Sequence, residues 1–239
     1  MGATHPVDCE YHRADVSYSL SSTNRLTNCD LRQFQGDRLF DRVARAVSEA
    51  GVLPRKELYE AWEVARRARR RFRGGRIVDV AGGHGLLAHL MLVLDDTSAC
   101  AHVVDPVPPL SAARLHEVLT STWPRLAGRV RTAPVSLDLF EFAADDVVVS
   151  SHACGSLTDR VLDCAVSARA RVVVLPCCHD ANTCDAGSVT GWVDASLAID
   201  LRRVTRLEQR GYRVWTQTIP AAITPKNRLL LGAPVLIEG

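Results

Sequence analysis

The first candidate for chemistry is the segment 79–85, in which an acidic residue precedes a cluster of glycines. It reads Asp-Val-Ala-Gly-Gly-His-Gly and lies between a short β-rich run and an apolar stretch of helical length. Glycine lets a backbone turn sharply and approach a ligand closely, and the start of a helix offers unpaired N–H groups. The segment therefore predicts a ligand-binding loop that joins a strand to a helix. The alternative is a strand-to-helix turn with a purely structural role.

A second acidic residue, Asp105, ends the next predicted strand. It follows Gly85 by 20 residues (105 − 85), and a carboxylate placed there can accept two hydrogen bonds from a ribose. The glycines do not have the Gly-x-Gly-x-x-Gly spacing that dinucleotide-binding folds prefer. The two acids and the glycines together predict a nucleoside-containing cofactor at the strand ends.

Histidines and cysteines follow two later strands. One segment reads Ser-Ser-His-Ala-Cys-Gly-Ser-Leu-Thr-Asp over residues 150–159, and the other reads Pro-Cys-Cys-His-Asp over residues 176–180. Because ligands bind at the carboxyl ends of strands in doubly wound sheets, both segments are expected beside the cofactor. His152 and His179 are candidate proton acceptors, since imidazole titrates near neutral pH, and Asp180 either orients His179 or acts itself. A structural role for each histidine is the alternative.

The same two segments raise the question of a metal ion. Cysteine and histidine are the ligands that zinc prefers, and Cys154, Cys177 and Cys178 accompany the two histidines. The adjacent Cys177 and Cys178 lack the usual spacing of two to four residues between ligands, and on an extended strand their side chains would diverge. We therefore predict no metal site.

An alternation of short apolar runs and helical repeats positions these segments. Strands are predicted at 76–80, 101–104, 130–135, 146–150, 171–175, 212–219 and 228–236, and helices at 38–50, 54–72, 86–94, 111–119, 158–168 and 195–209. This order favours a mostly parallel sheet with helices on both faces, whose last two strands must pair antiparallel because no helix fits between them. We predict an N-terminal arm with helices over 1–73, irregular to about residue 36, that covers the substrate, and a cofactor-binding domain over 74–239.

The segment 79–85 resembles motif I of class I S-adenosylmethionine-dependent methyltransferases, with Ala81 standing where that family usually has glycine. The resemblance implies a seven-stranded Rossmann-like α/β fold and S-adenosyl-L-methionine as cofactor. It places the acid near the methionine amino group and the glycines beneath the ribose, with Asp138 toward the adenine amino group. The implied cofactor-binding residues are Asp79, Ala81, Gly82, Gly83, Gly85, Asp105, Asp138 and Ser151.

The later segments are similar to a methyltransferase-like group that includes the eukaryotic tRNA ribose 2′-O-methyltransferases acting in the acceptor stem. The likeness lies in His-x-Cys-Gly followed by Thr-Asp and then Cys-Cys-His, and it covers residues 74–235. The N-terminal zinc-finger elements of those tRNA enzymes are not found. This resemblance implies methyl transfer to an oxygen or nitrogen atom, a reaction for which His152, His179 and Asp180 are the candidate catalytic residues.

A group of arginines lies at the end of the second predicted helix and bears on which class of molecule accepts the methyl group. Its members are Arg66, Arg67, Arg69, Arg70, Arg71 and Arg73. With the resemblance, they favour RNA as the methyl acceptor, whereas a solvated helix end is the structural alternative. Two other functions stay open: methylation of a small molecule such as a thiol, hydroxyl compound or heterocycle, and a non-catalytic partner module with a methyltransferase fold.

Composition limits the remaining classes. The 239 residues carry 29 Lys+Arg against 27 Asp+Glu, a formal net charge of +2, so overall charge does not draw the chain to nucleic acid. The longest apolar stretch, 86–94, is about half of the ~20 residues that a membrane-spanning helix needs. The polar N-terminus lacks the apolar run of a secretory signal, and the eight irregularly spaced cysteines suggest reduced thiols. A cytoplasmic location is therefore expected.

Overall fold

The structure is a computed structural model that describes residues 18–235. The strands are β1 (Ile77–Val80), β2 (Ala101–Val104), β3 (Val130–Ala133), β4 (Val147–Ser150), β5 (Arg171–Val174), β6 (Tyr212–Thr218) and β7 (Arg228–Pro234). The α-helices are α1 (Leu39–Ala50), α2 (Arg55–Arg71), α3 (Leu86–Leu94), α4 (Ala112–Thr122), α5 (Ser156–Ser167) and α6 (Ala195–Gln209). Each predicted strand and helix is present, with ends that differ by a few residues.

The seven strands form one sheet in the order β3-β2-β1-β4-β5-β7-β6. Strands β1 to β5 run parallel, and β7 is antiparallel to both β5 and β6. The predicted fold class is therefore confirmed. From β1 the sheet grows through β2 and β3 on one side and through β4 on the other, so the chain reverses direction at the β1–β4 pair. Ligands of doubly wound sheets bind at the carboxyl ends of the strands beside such a reversal.

The central strands are short runs of β-branched residues that helices cover on both faces. Strands β1 (Ile-Val-Asp-Val) and β4 (Val-Val-Val-Ser) are buried at every position. Continuous apolar runs of this kind are typical of parallel strands, which are shielded on both faces. An aspartate within β1 interrupts this pattern, and its burial is taken up below.

The N-terminal helices share a hydrophobic core with the sheet. Val43 and Val47 of α1 and Leu58 of α2 are fully buried in the same cluster as residues of α3 and β1. Residues 18–36, predicted as irregular, contain a 3-10 helix at Asn28–Gln33 and place Leu26 and Phe34 in that core. The described part of the predicted arm is therefore packed, whereas residues 1–17 lie outside the described residues. A substrate-covering role for residues 1–73 stays a prediction.

Two further expectations bear on the chain as a whole. Within residues 18–235, no helix combines the length and apolar character needed to cross a membrane. Free thiols are present at Cys100, Cys154, Cys164, Cys177, Cys178 and Cys184. Cys29 is disulfide-bonded, so the expectation of reduced thiols does not hold at that position.

Candidate functional site

The glycine loop between β1 and α3 has a backbone that bends back on itself. Ala81 and Gly83 both have left-handed conformations, with φ of 53° and 51°, and Gly85 has φ of 74°. The Ala81 N–H donates to Val104 of β2 at 2.9 Å, and the Gly85 N–H donates to the Gly82 carbonyl at 2.7 Å. An alanine in the left-handed region costs about 1 kcal/mol. Ala81 therefore adopts, at some cost, a conformation that favours glycine.

The glycines of this loop are required for two different reasons. A Cβ at Gly82 would lie 2.9 Å from the Asp79 carboxylate and 2.8 Å from Val103, and one at Gly85 would lie 2.7 Å from Val103. Packing therefore explains Gly82, whereas packing and a left-handed φ together explain Gly85. A Cβ at Gly83 would meet nothing within 4 Å, so the space beside this residue is open. The left-handed φ of Gly83, rather than packing, is what favours glycine there.

Asp79 is a buried carboxylate at the centre of the sheet. Its side chain accepts a hydrogen bond from the Ala88 N–H of α3 at 3.1 Å, and the residue is 1% exposed. Burial raises the pKa of Asp79 to about 7, and the nearby negative charge of Asp105 adds to that shift. Among the ion pairs of the described residues, none includes Asp79. A cationic ligand would relieve the cost of ionising this carboxylate.

Asp105 lies directly after β2 and faces the same loop. Its Oδ2 accepts a hydrogen bond from the Gly83 N–H at 3.1 Å, and its Oδ1 accepts one from the Val107 N–H at 3.0 Å. Unlike Asp79, Asp105 is partly exposed. The backbone thus fixes both carboxylate oxygens while solvent or a ligand can still reach them. The structure brings Asp79, Gly82, Gly83, Gly85 and Asp105 together as the sequence predicted.

Ser151 and His152 follow β4 and approach the loop from the other side of β1. The Ser150 hydroxyl donates to the Val80 carbonyl at 2.7 Å, which joins the ends of β4 and β1. Ser151 and His152 line a cavity of about 20 Å³ together with Asp79 and Gly82. Burial, followed by the positive charge of Lys56, lowers the pKa of His152 below its ordinary value. His152 is therefore neutral at pH 7, as a general base must be.

His179 lies in a different environment, and the residue that orients it is Asp200. The His179 Nε2 and the Asp200 Oδ1 are 2.8 Å apart, and the histidine side chain is 2% exposed. Asp180 is exposed and accepts hydrogen bonds from the N–H and side-chain amide of Asn182. The prediction that Asp180 orients His179 is thus corrected, because Asp180 closes the turn that follows it. A direct catalytic role for Asp180 stays a prediction.

Asp200 also holds two arginines. Its carboxylate contacts Arg203 at 3.1 Å and Arg228 at 2.7 Å. Burial opposes ionisation of Asp200, but the bonds from His179 and Arg228 outweigh it and hold the pKa of Asp200 below its ordinary value. Asp200 was missed in the sequence because it lies in the middle of α6, where apolar periodicity was the only signal.

The cysteines of the two later segments meet at this edge of the sheet. The sulfurs of Cys154 and Cys177 are 2.9 Å apart, and those of Cys177 and Cys178 are 3.8 Å apart. The expected divergence of Cys177 and Cys178 does not occur, since both lie beyond Val174, where β5 ends. Neither histidine belongs to this group among the described residues.

Asp138 lies in a 3-10 turn, Leu137–Leu139, beyond the end of β3. Its side chain is 64% exposed and forms an ion pair with Arg160 of α5. A contact with adenine would compete with Arg160 for this carboxylate. The adenine role of Asp138 stays a prediction.

The arginines at the end of α2 mostly serve internal contacts. Arg66 and Arg67 both pair with Glu63, and Arg73 pairs with Asp95 at 3.1 Å. Arg69 is 3% exposed and donates to the Met91 carbonyl at 2.8 Å.

These partners also fix where the arginines lie in the fold. Arg71 stacks 4.2 Å from the ring centroid of Trp215, and Arg70 is exposed. Asp95 and Met91 belong to the C-terminal end of α3, at the edge where the strands begin. Met91 and Asp95 follow Gly85 by six and ten residues, so Arg69 and Arg73 bond to points about 9–15 Å along α3 from the glycine loop.

Two features of the site lay outside the sequence-based prediction. Glu57 of α2 lines the small cavity opposite His152, and burial, followed by Glu60, raises its pKa. A larger cavity of about 410 Å³ lies between α6, β6 and β7, with Pro176, Asp200 and Arg228 among its lining residues. Both depend on packing between elements distant in sequence, for which the sequence carries no local signal.

The comparisons with known proteins concern the fold. No protein-family model and no curated protein matches this chain. Solved structures match it with low identity. An O-methyltransferase family protein from Burkholderia thailandensis aligns over 86% of this chain and 62% of its own, with a TM-score of 0.51 and 16% identity. The S-adenosylmethionine-dependent methyltransferase SibL aligns over 89% and 66%, with a TM-score of 0.50 and 18% identity.

A third structure, the ribosomal protein L11 methylase from Lactobacillus delbrueckii subsp. bulgaricus, aligns over 73% of this chain and 78% of its own, with a TM-score of 0.50 and 12% identity. The chain thus spans slightly less than two thirds of the length of the first two structures. The order and directions of its seven strands are those of the Rossmann-like methyltransferase fold.

Proposed function

We propose that this protein is an S-adenosylmethionine-dependent methyltransferase. The observation that carries the proposal is the buried carboxylate of Asp79, at the reversal point of the sheet and beside a glycine loop anchored to Asp105. When bound, S-adenosylmethionine supplies a methyl group activated on a sulfonium sulfur. Its ammonium group would compensate Asp79, and its ribose hydroxyls would bond to Asp105. The fold similarity supports the same chemistry.

The carboxylates of Asp79 and Asp105 suit this cofactor, whereas the cavity beside Asp79 is small. The cavity of about 20 Å³ holds about one water molecule, and ligand sites span several hundred Å³. One wall consists of Leu53, Glu57 and Ala61, at or just before the first turns of α2. We infer that this end of α2 moves away from the strand ends when the cofactor binds. This movement would give residues 1–73 the covering role predicted from the sequence.

His152 is the proton acceptor in this proposal. It lines the same cavity as Asp79, and its lowered pKa keeps the imidazole neutral at pH 7. In-line methyl transfer needs alignment of the acceptor and, for a hydroxyl or amine, removal of a proton. His179 has a supporting role, because Asp200 holds its ring within the protein.

For the acceptor, we favour a small molecule over RNA. Most members of the arginine group are paired within the protein, and Arg67 also donates to the Thr218 carbonyl at the end of β6. The cavity of about 410 Å³ lies at the carboxyl end of β5, and Leu197, Leu201 and Leu229 give it an apolar lining. This volume suits a small organic molecule. Asp200 and Arg228 add one polar wall.

The first experiment is calorimetric titration of the purified protein with S-adenosylhomocysteine and S-adenosylmethionine. We expect micromolar binding that weakens at least about 30-fold in Asp105→Ala, because bonds from ligand hydroxyls to a carboxylate contribute about 1.5–3 kcal/mol each. Asp163→Ala is the matched control, since Asp163 is an exposed acid on α5 that pairs only with Arg206 among the described residues. Folded wild-type protein that binds neither ligand would leave the non-catalytic partner module as the better account.

A second experiment separates the two acceptor classes. Labelled cofactor is supplied with a pool of small RNAs or with a set of thiols, phenols and heterocycles. We expect label in small molecules, at a rate unchanged by Arg70→Ala and Arg71→Ala. Label in RNA that falls with these two substitutions would establish RNA as the acceptor instead.

A further inference from the structure

Three cysteine thiols converge at the carboxyl ends of β4 and β5. These strands are parallel neighbours, with Ser150 opposite Val174, so the loops that follow them leave the sheet at the same edge. Cys154 comes from the first loop, and Cys177 and Cys178 come from the second. All three sulfurs lie within 4.8 Å of one another.

The sulfur positions are close to those of a thiolate metal site. Tetrahedral zinc with bonds of about 2.3 Å to sulfur sets neighbouring sulfurs about 3.8 Å apart. The Cys177 and Cys178 sulfurs already have this separation of 3.8 Å. The Cys154 and Cys177 sulfurs, at 2.9 Å, would separate by about 1 Å around an ion. A disulfide would instead require them to approach to about 2.05 Å.

The cluster has no cationic side chain bound to it. No arginine or lysine among the described residues is hydrogen-bonded to these three sulfurs. A divalent ion would neutralise three thiolates at this position, and its binding would release one proton from each thiol.

Access to the cluster is open. Cys154 and Cys178 are exposed and Cys177 is half-buried. His179, the adjacent residue, is already bonded to Asp200. Three protein ligands with an exposed fourth position are the arrangement of catalytic zinc sites rather than of closed structural ones.

We propose that Cys154, Cys177 and Cys178 bind one zinc ion through three thiolates, with a fourth position open to water or to an exogenous donor. The site lies on the same edge of the sheet as the glycine loop. Zinc binding itself does not depend on whether the protein transfers methyl groups.

The test is a titration of the reduced, chelator-treated full-length protein with cobalt(II), followed by zinc(II). We expect one equivalent of cobalt to produce a sulfur-to-cobalt charge-transfer band, which zinc then abolishes. Cys154→Ser, Cys177→Ser and Cys178→Ser should each weaken zinc binding at least tenfold. Cys100→Ser and Cys164→Ser are matched controls at free thiols outside the cluster and should bind zinc as the wild type does.

A second readout needs no substitution. One equivalent of zinc should protect three thiols of the wild-type protein from a thiol-specific reagent, and peptide mapping should identify them as residues 154, 177 and 178. Absence of the charge-transfer band, or equal zinc binding by the triple serine variant, would overturn the proposal. So would a Cys154–Cys177 disulfide in the isolated protein combined with no zinc binding after its reduction.

Discussion

Two strand-end regions of this sheet are organised in different ways. At the ends of β1 and β2, backbone groups fix the glycine loop: Gly83 donates to Asp105, and Gly82 and Gly85 pack against Val103. At the ends of β4 and β5, side chains from distant elements fix the loops, chiefly through Asp200. The first region therefore depends mainly on backbone hydrogen bonds and close backbone packing, whereas the second depends on ion pairs and hydrogen bonds between side chains.

The largest effect is expected in the first region, from Gly85→Ala. The substitution combines a left-handed residue with a contact of 2.7 Å to Val103, so we expect a loss of about 3 kcal/mol in the free energy of unfolding. Gly83→Ala has a similar φ but open space, and we expect it to cost about 1 kcal/mol. Urea denaturation measures both. Equal losses for the two variants would show that packing against Val103 does not shape the loop.

In the second region, Asp200→Ala is expected to lower the free energy of unfolding by about 2 kcal/mol. It removes an acceptor from His179, Arg203 and Arg228, of which Arg203 keeps Asp159 as a partner. Asp180→Ala is the control, because Asp180 is exposed and bonds only within its own turn. We expect Asp180→Ala to leave the denaturation midpoint nearly unchanged. A larger loss in Asp180→Ala than in Asp200→Ala would restore Asp180 as the residue that fixes this loop.

A smaller effect, of about tenfold, concerns the pH dependence of ligand binding in the first region. Burial raises the pKa of Asp79 to about 7 from an ordinary 3.8, so ionisation of this group opposes folding increasingly from about pH 4 to pH 7. A ligand ammonium group binds the ionised form, which rises from about one tenth at pH 6 to about nine tenths at pH 8.

The affinity for S-adenosylhomocysteine should therefore increase about tenfold from pH 6 to pH 8. In Asp79→Asn this increase should disappear, because the amide does not titrate. Calorimetry at both pH values provides the measurement. A wild-type affinity that is constant over this range would mean that Asp79 does not contact the ligand cation.

The sequence by itself determined the strands, the helices and the glycine loop. Local apolar patterns set β1, β4 and β5, because strands buried on both faces must be apolar throughout. The residues of the segment 79–85 are joined by hydrogen bonds and packing within a single turn and to β2. The sequence of this segment was therefore sufficient to predict a glycine loop between a strand and a helix. Asp105 was found for the same reason, since parallel strands bring their carboxyl ends to one edge.

Only the tertiary structure decided the partners of side chains that meet across the fold. In the folded protein His179 bonds to Asp200 rather than to Asp180. Cys154 lies beside Cys177 and Cys178, beyond the end of β5. The tertiary structure also turned most of the arginine group inward, toward Glu63, Met91 and Asp95. Such pairings depend on which of several possible partners each side chain meets after folding, and the periodicity of a single sequence does not record that choice.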